Sequence, residues 1–221
     1  MLILIGGEKG GSGKSCIAQN ISVLLRQIET ELLLIDCDPQ KTTSEWAQER
    51  KNNKELLSIE CIQLYGNILD VLEQFKTKYN IIIVDCGGQD SKAFRSSLVS
   101  CTHALFPLRP KRRDLKTLPH LEELVSEAKI TNKTMKYAAV INQAPSLPSQ
   151  LKRIEEAKAI CHNWGIPCLE SVLAYRNVYD DSEESGSSVF EAKSDEKATL
   201  ELISIIKEFL NMGIMLGKGQ M

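Results

Sequence analysis

The decapeptide Gly6-Gly7-Glu8-Lys9-Gly10-Gly11-Ser12-Gly13-Lys14-Ser15 constrains this chain more than any other stretch. It follows a short apolar run, Leu2–Ile5, and opens an amphipathic segment over residues 14–28. A glycine-rich turn between a strand and a helix can curl its backbone N–H groups around phosphate oxygens without Cβ clashes. The helix that follows adds the partial positive charge of its N-terminus. Lys14 can reach the terminal phosphates, and the Ser15 hydroxyl can ligate a divalent cation. The general pattern G-x-x-x-x-G-K-[ST] asks for glycine at position 8, where this chain has Glu8.

The rest of the chain alternates short apolar runs with longer amphipathic ones. Strands are predicted over residues 2–5, 31–36, 57–62, 81–85, 103–108, 136–142 and 168–173. Helices are predicted over 14–28, 42–51, 68–78, 114–129, 149–164 and 197–212. Ile81-Ile82-Ile83-Val84 is apolar on both faces, as a central parallel strand requires. Such alternation predicts an α/β fold, a mostly parallel twisted sheet with helices on both faces. Ligands in such sheets lie beyond the carboxyl ends of the strands. One domain over residues 1–221 is expected, with 180–188 a mobile loop and 213–221 a flexible tail.

Two acidic features fall at predicted strand ends. Asp36-Cys37-Asp38-Pro39-Gln40 places two aspartates at i, i+2, so both side chains point to the same side of an extended segment. Asp85 ends the second run and is followed by Cys86-Gly87-Gly88. An acid at the end of a buried strand beside a phosphate loop can hold Mg²⁺, and paired glycines let the next segment follow the γ-phosphate.

The segment Lys9-Gly10-Gly11-Ser12-Gly13-Lys14-Ser15 resembles the deviant Walker A motif, K-G-G-x-G-K-[ST], of the ParA/MinD ATPases. The resemblance extends to the D-x-D-P-Q switch and the strand ending in Asp85. It also covers Pro107-Leu108-Arg109-Pro110-Lys111-Arg112-Arg113-Asp114, Arg176-Asn177-Val178-Tyr179 and residues 186–191. The small plasmid-partition ParA proteins are the nearest in pattern. The resemblance implies a P-loop fold and ATP bound by residues 9–16: Lys9, Gly10, Gly11, Ser12, Gly13, Lys14, Ser15 and Cys16. Asn142 would contact adenine. Mg²⁺ would be held by Ser15, Asp36 and Asp85, and Asp38 would orient the attacking water. Lys9 would reach across an ATP-bound homodimer to the partner subunit's phosphates, making Lys9, Lys14 and Asp38 the catalytic set. Partners implied are a ParB-type centromere-binding protein and non-specific DNA, with hydrolysis slow and partner-stimulated.

Charge and cysteine usage narrow the setting. The chain carries 27 Lys and Arg against 29 Asp and Glu, a net charge of −2, so DNA contact requires a local patch. Lys111-Arg112-Arg113 is the densest basic cluster, with Arg176 a further candidate. The seven cysteines are odd in number and lack C-x-x-C spacing, which suits reduced thiols and a cytoplasmic protein; the resemblance implies association with the nucleoid when ATP is bound. An iron–sulfur relative on the same fold is disfavoured by that spacing. The apolar positions of residues 197–212 could serve a MinD-like membrane helix. Glu201 and Glu208 oppose anionic lipid, so packing on the sheet is preferred and membrane contact is not expected.

Overall fold

The computed structural model describes residues 1–88, 91–192 and 195–210. The elements run β1 (Leu2–Ile5), α1 (Lys14–Arg26), β2 (Leu32–Asp36), α2 (Thr42–Asn52), β3 (Glu60–Gln63), α3 (Leu69–Phe75) and β4 (Ile81–Asp85). Then follow α4 (Lys92–Ser100), β5 (His103–Leu108), α5 (Arg112–Leu115), α6 (Leu118–Thr131) and β6 (Lys136–Ala144). The chain continues through α7 (Lys152–Asn163), β7 (Cys168–Ala174), α8 (Val178–Glu183), α9 (Val189–Ala192) and α10 (Glu196–Leu210).

Seven parallel strands form one sheet in the order β3-β2-β4-β1-β5-β6-β7. Alternation along each strand divides the core in two. Leu2, Leu4, Leu33, Ile35, Ile82 and Val84 point to one face. Ile3, Ile5, Leu32, Leu34, Ile81 and Ile83 point to the other. Each face is roofed by helices, which is why these strands are apolar at every position. Strand order reverses around β1, so the first loop emerges where a crevice opens at the carboxyl ends.

The edge strand β7 is managed by charge. Glu208 on α10 accepts hydrogen bonds from the Glu170 and Ser171 amides, and Glu201 accepts one from Ala174. These carboxylates occupy donors that a bare sheet edge would offer to another strand. Leu202, Ile205, Ile206, Phe209 and Leu210 of α10 are buried against the sheet. The apolar face of this helix is therefore already used. Among the described residues no helix is long and apolar enough to cross a membrane.

Three expectations are corrected. Helix α4 was not anticipated. Its Ser91 cap accepts from the Phe94 amide, and the Ser97 hydroxyl bonds back to the Ala93 carbonyl. Serines that satisfy themselves on the backbone can be buried, and that hides an apolar face from the sequence pattern. The single helix expected over 114–129 is instead α5 and α6, parted at Lys116 and Thr117.

The third correction concerns residues 180–188, which pack rather than project. They form the end of α8 and a 3₁₀ turn (Glu184–Gly186), and Ser182, Gly186 and Ser188 are buried. Arg50, only 1% exposed, anchors this region through Glu191 at 2.6 and 2.8 Å and the Gly186 carbonyl at 3.0 Å. Trp46 donates to the Ser187 carbonyl at 2.8 Å. The expected tail, 213–221, lies outside the described residues.

Candidate functional site

The loop between β1 and α1 is braced carbonyl by carbonyl. The Lys9 carbonyl accepts from Lys14 Nζ at 2.7 Å and the Ser12 hydroxyl at 3.3 Å. The Gly10 carbonyl accepts from Arg109 Nη2 at 3.3 Å, and the Gly11 carbonyl from Gln143 Nε2 at 3.1 Å. The Ser12 carbonyl accepts from Asn142 Nδ2 at 2.7 Å, and the Gly13 carbonyl from the Ile17 amide at 3.0 Å. Five consecutive acceptors are thus engaged by the protein itself. Gly13, at φ 84°, supplies the left-handed turn, and a Cβ there would overlap the Asn142 amide.

This loop borders a cleft of about 800 Å³ at the carboxyl ends of the strands. Its walls include Lys14, Asp38, Gly88 and Asn142, and on the far side Tyr175 and Tyr179. Lys14 is only 6% exposed. Burial lowers its pKa, while the neighbouring Asp85 and Asp38 carboxylates pull it back up. Lys9 is exposed and does not line the cleft. The two lysines of the motif therefore occupy different environments.

The three aspartates also differ. Asp36 is fully buried and already satisfied: Oδ1 accepts from the Asp38 amide, and Oδ2 from the Ser44 amide and hydroxyl. It shapes the turn into α2 through these three bonds. Asp38 is half-buried, lines the cleft and steadies the turn by accepting from the Gln40 amide. Asp85 is buried with Oδ2 bonded to the Thr43 hydroxyl at 2.6 Å and Oδ1 left without a partner. Burial raises its pKa to about 6, against the lowering effect of the Thr43 and Ser15 side chains. An unpartnered buried carboxylate oxygen beside a phosphate loop fits a divalent cation. Ser15 and Asp85 fit that role, while Asp36 is engaged by three donors of the turn.

The segments after β2 and β4 close on the loop. A Cβ on Gly88 would lie 2.5 Å from the Gly10 nitrogen and 2.8 Å from the Lys9 carbonyl carbon. Only glycine lets the segment after β4, the second switch of the proposal below, rest on the loop. Cys86 is wholly buried beside Cys37, and its thiol is pushed well up, first by that neighbour and then by burial. Among the described residues no three His, Cys, Asp or Glu side chains gather as a metal-binding group.

Several participants were not anticipated from the sequence. Gln143, Arg109 and Thr43 each contact the loop or its aspartate. Glu183 lines the cleft near Cys16, and burial raises the pKa of both. Asn142, expected at adenine, commits its amide to the Ser12 carbonyl and so braces the loop. Arg176, expected at DNA, is paired with Glu201 at 2.6 Å and Asp195 at 3.4 Å. Lys111, Arg112 and Arg113 are exposed. Arg109 links them to the loop: its guanidinium is gripped by Asp114 at 2.8 and 3.0 Å, and its carbonyl accepts from the Lys111 amide.

Comparison with known proteins is consistent with this geometry. The chain is 26% identical over 193 residues to the maintenance of carboxysome distribution protein A of Halothiobacillus neapolitanus, covering 86% of each. Its fold matches the MinC:MinD cell division protein complex of Aquifex aeolicus with a TM-score of 0.74 at 17% identity, covering 98% of each chain. A Cyanothece McdA variant in complex with ATP gives a TM-score of 0.71 at 14% identity, again covering 98% of each. Residues 3–189 match one family throughout, and the chain belongs to it: the CobQ/CobB/MinD/ParA nucleotide binding domain family.

Proposed function

We propose that the chain is a positioning ATPase of the ParA type, switched by ATP between a monomer and a DNA-binding homodimer. The carrying observation is the divergence of the two motif lysines, Lys14 held in the cleft and Lys9 exposed outside it. A lysine that turns away from its own cleft is available to a second copy.

In this reading the braced loop turns its amides toward a triphosphate, and Lys14 neutralises the terminal phosphates. Ser15 and Asp85 would hold Mg²⁺, which would supply charge neutralisation to the triphosphate when bound. Asp38 orients water, and Lys9 of the partner subunit adds its charge to the departing phosphoryl group. Among the described residues no histidine lines the cleft, and on this reading turnover is slow and suits a timer.

Lys111, Arg112 and Arg113 present cations to DNA phosphates without reading sequence. The cargo is a plasmid, a chromosome region or a protein body, coupled through a ParB-type or equivalent adaptor that stimulates hydrolysis. The likeness to carboxysome distribution proteins supports a protein body as readily as a plasmid. Placement is cytoplasmic, on the nucleoid while ATP is bound. A MinD-like membrane cycle is the second reading, and the buried apolar face of α10 weighs against it.

The test is an electrophoretic shift of random-sequence DNA with ATP, with ADP and without nucleotide. Retardation with ATP alone is expected. Equal retardation in all three conditions, or vesicle co-sedimentation with ATP and no DNA shift, overturns the reading.

A further inference from the structure

A second concavity lies away from the nucleotide cleft. It is a groove of about 650 Å³ between α5, the start of α6 and the outer side of α7. Its floor is apolar, built from Pro110, Leu115, Pro119, Ile160 and Trp164. Trp164 closes α7 and is 45% exposed, a large aromatic surface left in water. Around that floor stand Lys111, Arg112, Lys116 and Arg153, all exposed. The one carboxylate in the lining, Glu156, has Lys152 at 3.6 Å.

Four cations around an apolar floor stand out in a chain whose net charge is −2. The arrangement has the anatomy of a protein interface, with an aromatic anchor point and a charged rim. Duplex DNA needs the cations but has no use for the floor, because phosphates and sugars bring no apolar knob of that size. Arg113, the third member of the basic cluster, is outside the lining.

We propose that this groove docks an acidic segment of a partner protein, one that seats a bulky apolar side chain against Trp164 and Ile160. Carboxylates on the segment pair with Lys111, Arg112, Lys116 and Arg153. The rim sets the encounter rate and orientation, and the buried apolar contact holds the complex. No residue of the groove lines the nucleotide cleft, so the proposal does not depend on nucleotide binding; Lys111 and Arg112 are shared with the DNA contact proposed above for the ATP-bound dimer, and the groove is therefore probed on the nucleotide-free chain.

The groove carries its own reporter. Trp46 is buried, so a ligand in the groove changes emission through Trp164. The full chain is titrated with a short peptide alternating Glu and Leu, with its Lys-for-Glu counterpart, and with a short random-sequence duplex. The acidic peptide is expected to shift Trp164 emission saturably. Arg112→Glu/Arg153→Glu weakens that binding about ten-fold or more, whereas Lys133→Glu, at an exposed lysine elsewhere, leaves it unchanged. Trp164→Ala abolishes the emission change and weakens binding read by peptide anisotropy. The charge-reversed variant retains wild-type affinity for a fluorescent ATP analogue, which separates failure of the groove from failure of the cleft. No emission change with the acidic peptide, an equal response to the basic peptide, displacement by the duplex, or loss of ATP binding in the reversal variant overturns the proposal.

Discussion

The Thr43 hydroxyl donates 2.6 Å to Oδ2 of Asp85, joining the first turn of α2 to the end of β4. The first switch leads into that helix and the second switch leaves that strand, so one hydrogen bond spans the roots of both. Replacing Thr43 by Val removes the hydrogen bond to Oδ2 of a buried carboxylate whose Oδ1 already lacks one. A loss of about 1–3 kcal/mol is expected in urea unfolding of the nucleotide-free chain.

The two lysines should separate cleanly by substitution. Lys14→Ala is expected to abolish binding of a fluorescent ATP analogue. Lys9→Ala keeps binding but loses the ATP-dependent dimer in sedimentation and lowers kcat by about 10³-fold, the scale of a removed in-trans cation. Wild-type phosphate release by Lys9→Ala would show that its exposure serves no second subunit.

Gly88→Ala forces the second switch off the backbone of Gly10 and Lys9. The core is untouched, so thermal stability should change little. A displacement of about 1 Å at the terminal phosphate costs on the order of 10²-fold in kcat. Steady-state phosphate release alongside a melting curve distinguishes this from simple unfolding.

Arg50 holds the segment around Gly186 by three hydrogen bonds, two of them to Glu191, and a fourth ties it to the Leu57 carbonyl, with its guanidinium 5.4 Å from the Trp46 ring. Arg50→Ala removes one partner of a largely buried pair and leaves Glu191 uncompensated. A destabilisation of about 3–5 kcal/mol is expected from the shift in urea midpoint. Glu191→Gln keeps the shape and should cost less.

His103 gives the stability curve an acidic shoulder. Burial lowers its pKa to about 4, with Lys136 and the N-terminal ammonium adding to the effect, and its Nε2 has no hydrogen-bond partner. A depressed pKa favours the folded state above the unfolded value of about 6.5. That contribution is lost as pH falls from about 6.5 toward 4, because the unfolded chain takes the proton first. Discounted for its partial exposure, it amounts to about 1–2 kcal/mol. Chemical unfolding at pH 7 and pH 4.5 should show a smaller acid loss in His103→Gln than in the parent.

The centre of the sheet was legible because β1, β2 and β4 are short, almost wholly apolar and separated by amphipathic stretches, whereas the edge strand β3, Glu60–Gln63, is half polar and begins three residues later than its expected span. Ile81-Ile82-Ile83-Val84 could be nothing but a strand covered on both faces. The phosphate loop was legible because its chemistry is local: glycines, lysine and serine act on one ligand from one decapeptide. Bracing of that loop was not legible, since Arg109, Asn142 and Gln143 approach it from positions about a hundred residues away. Nor was the role of Asp36, which differs from Asp38 only in who reaches it first. The D-x-D spacing puts both on one side, but Ser44 fills the first and the cleft receives the second. Residues 180–188 misled for a related reason. Their acids and serines look solvated in one dimension, while Arg50, far earlier in the chain, draws them inward.

A cradle whose five carbonyls are all tied down arrives at its ligand already shaped. It has little disorder to surrender on contact, so on the proposed reading it would grip the two inner phosphates of a spent nucleotide about as well as those of a fresh one. Telling the two apart therefore falls outside the cradle. On the proposed reading it falls to Asp38 and Gly88, which border the cleft beyond the cradle, to register that the third phosphate has gone.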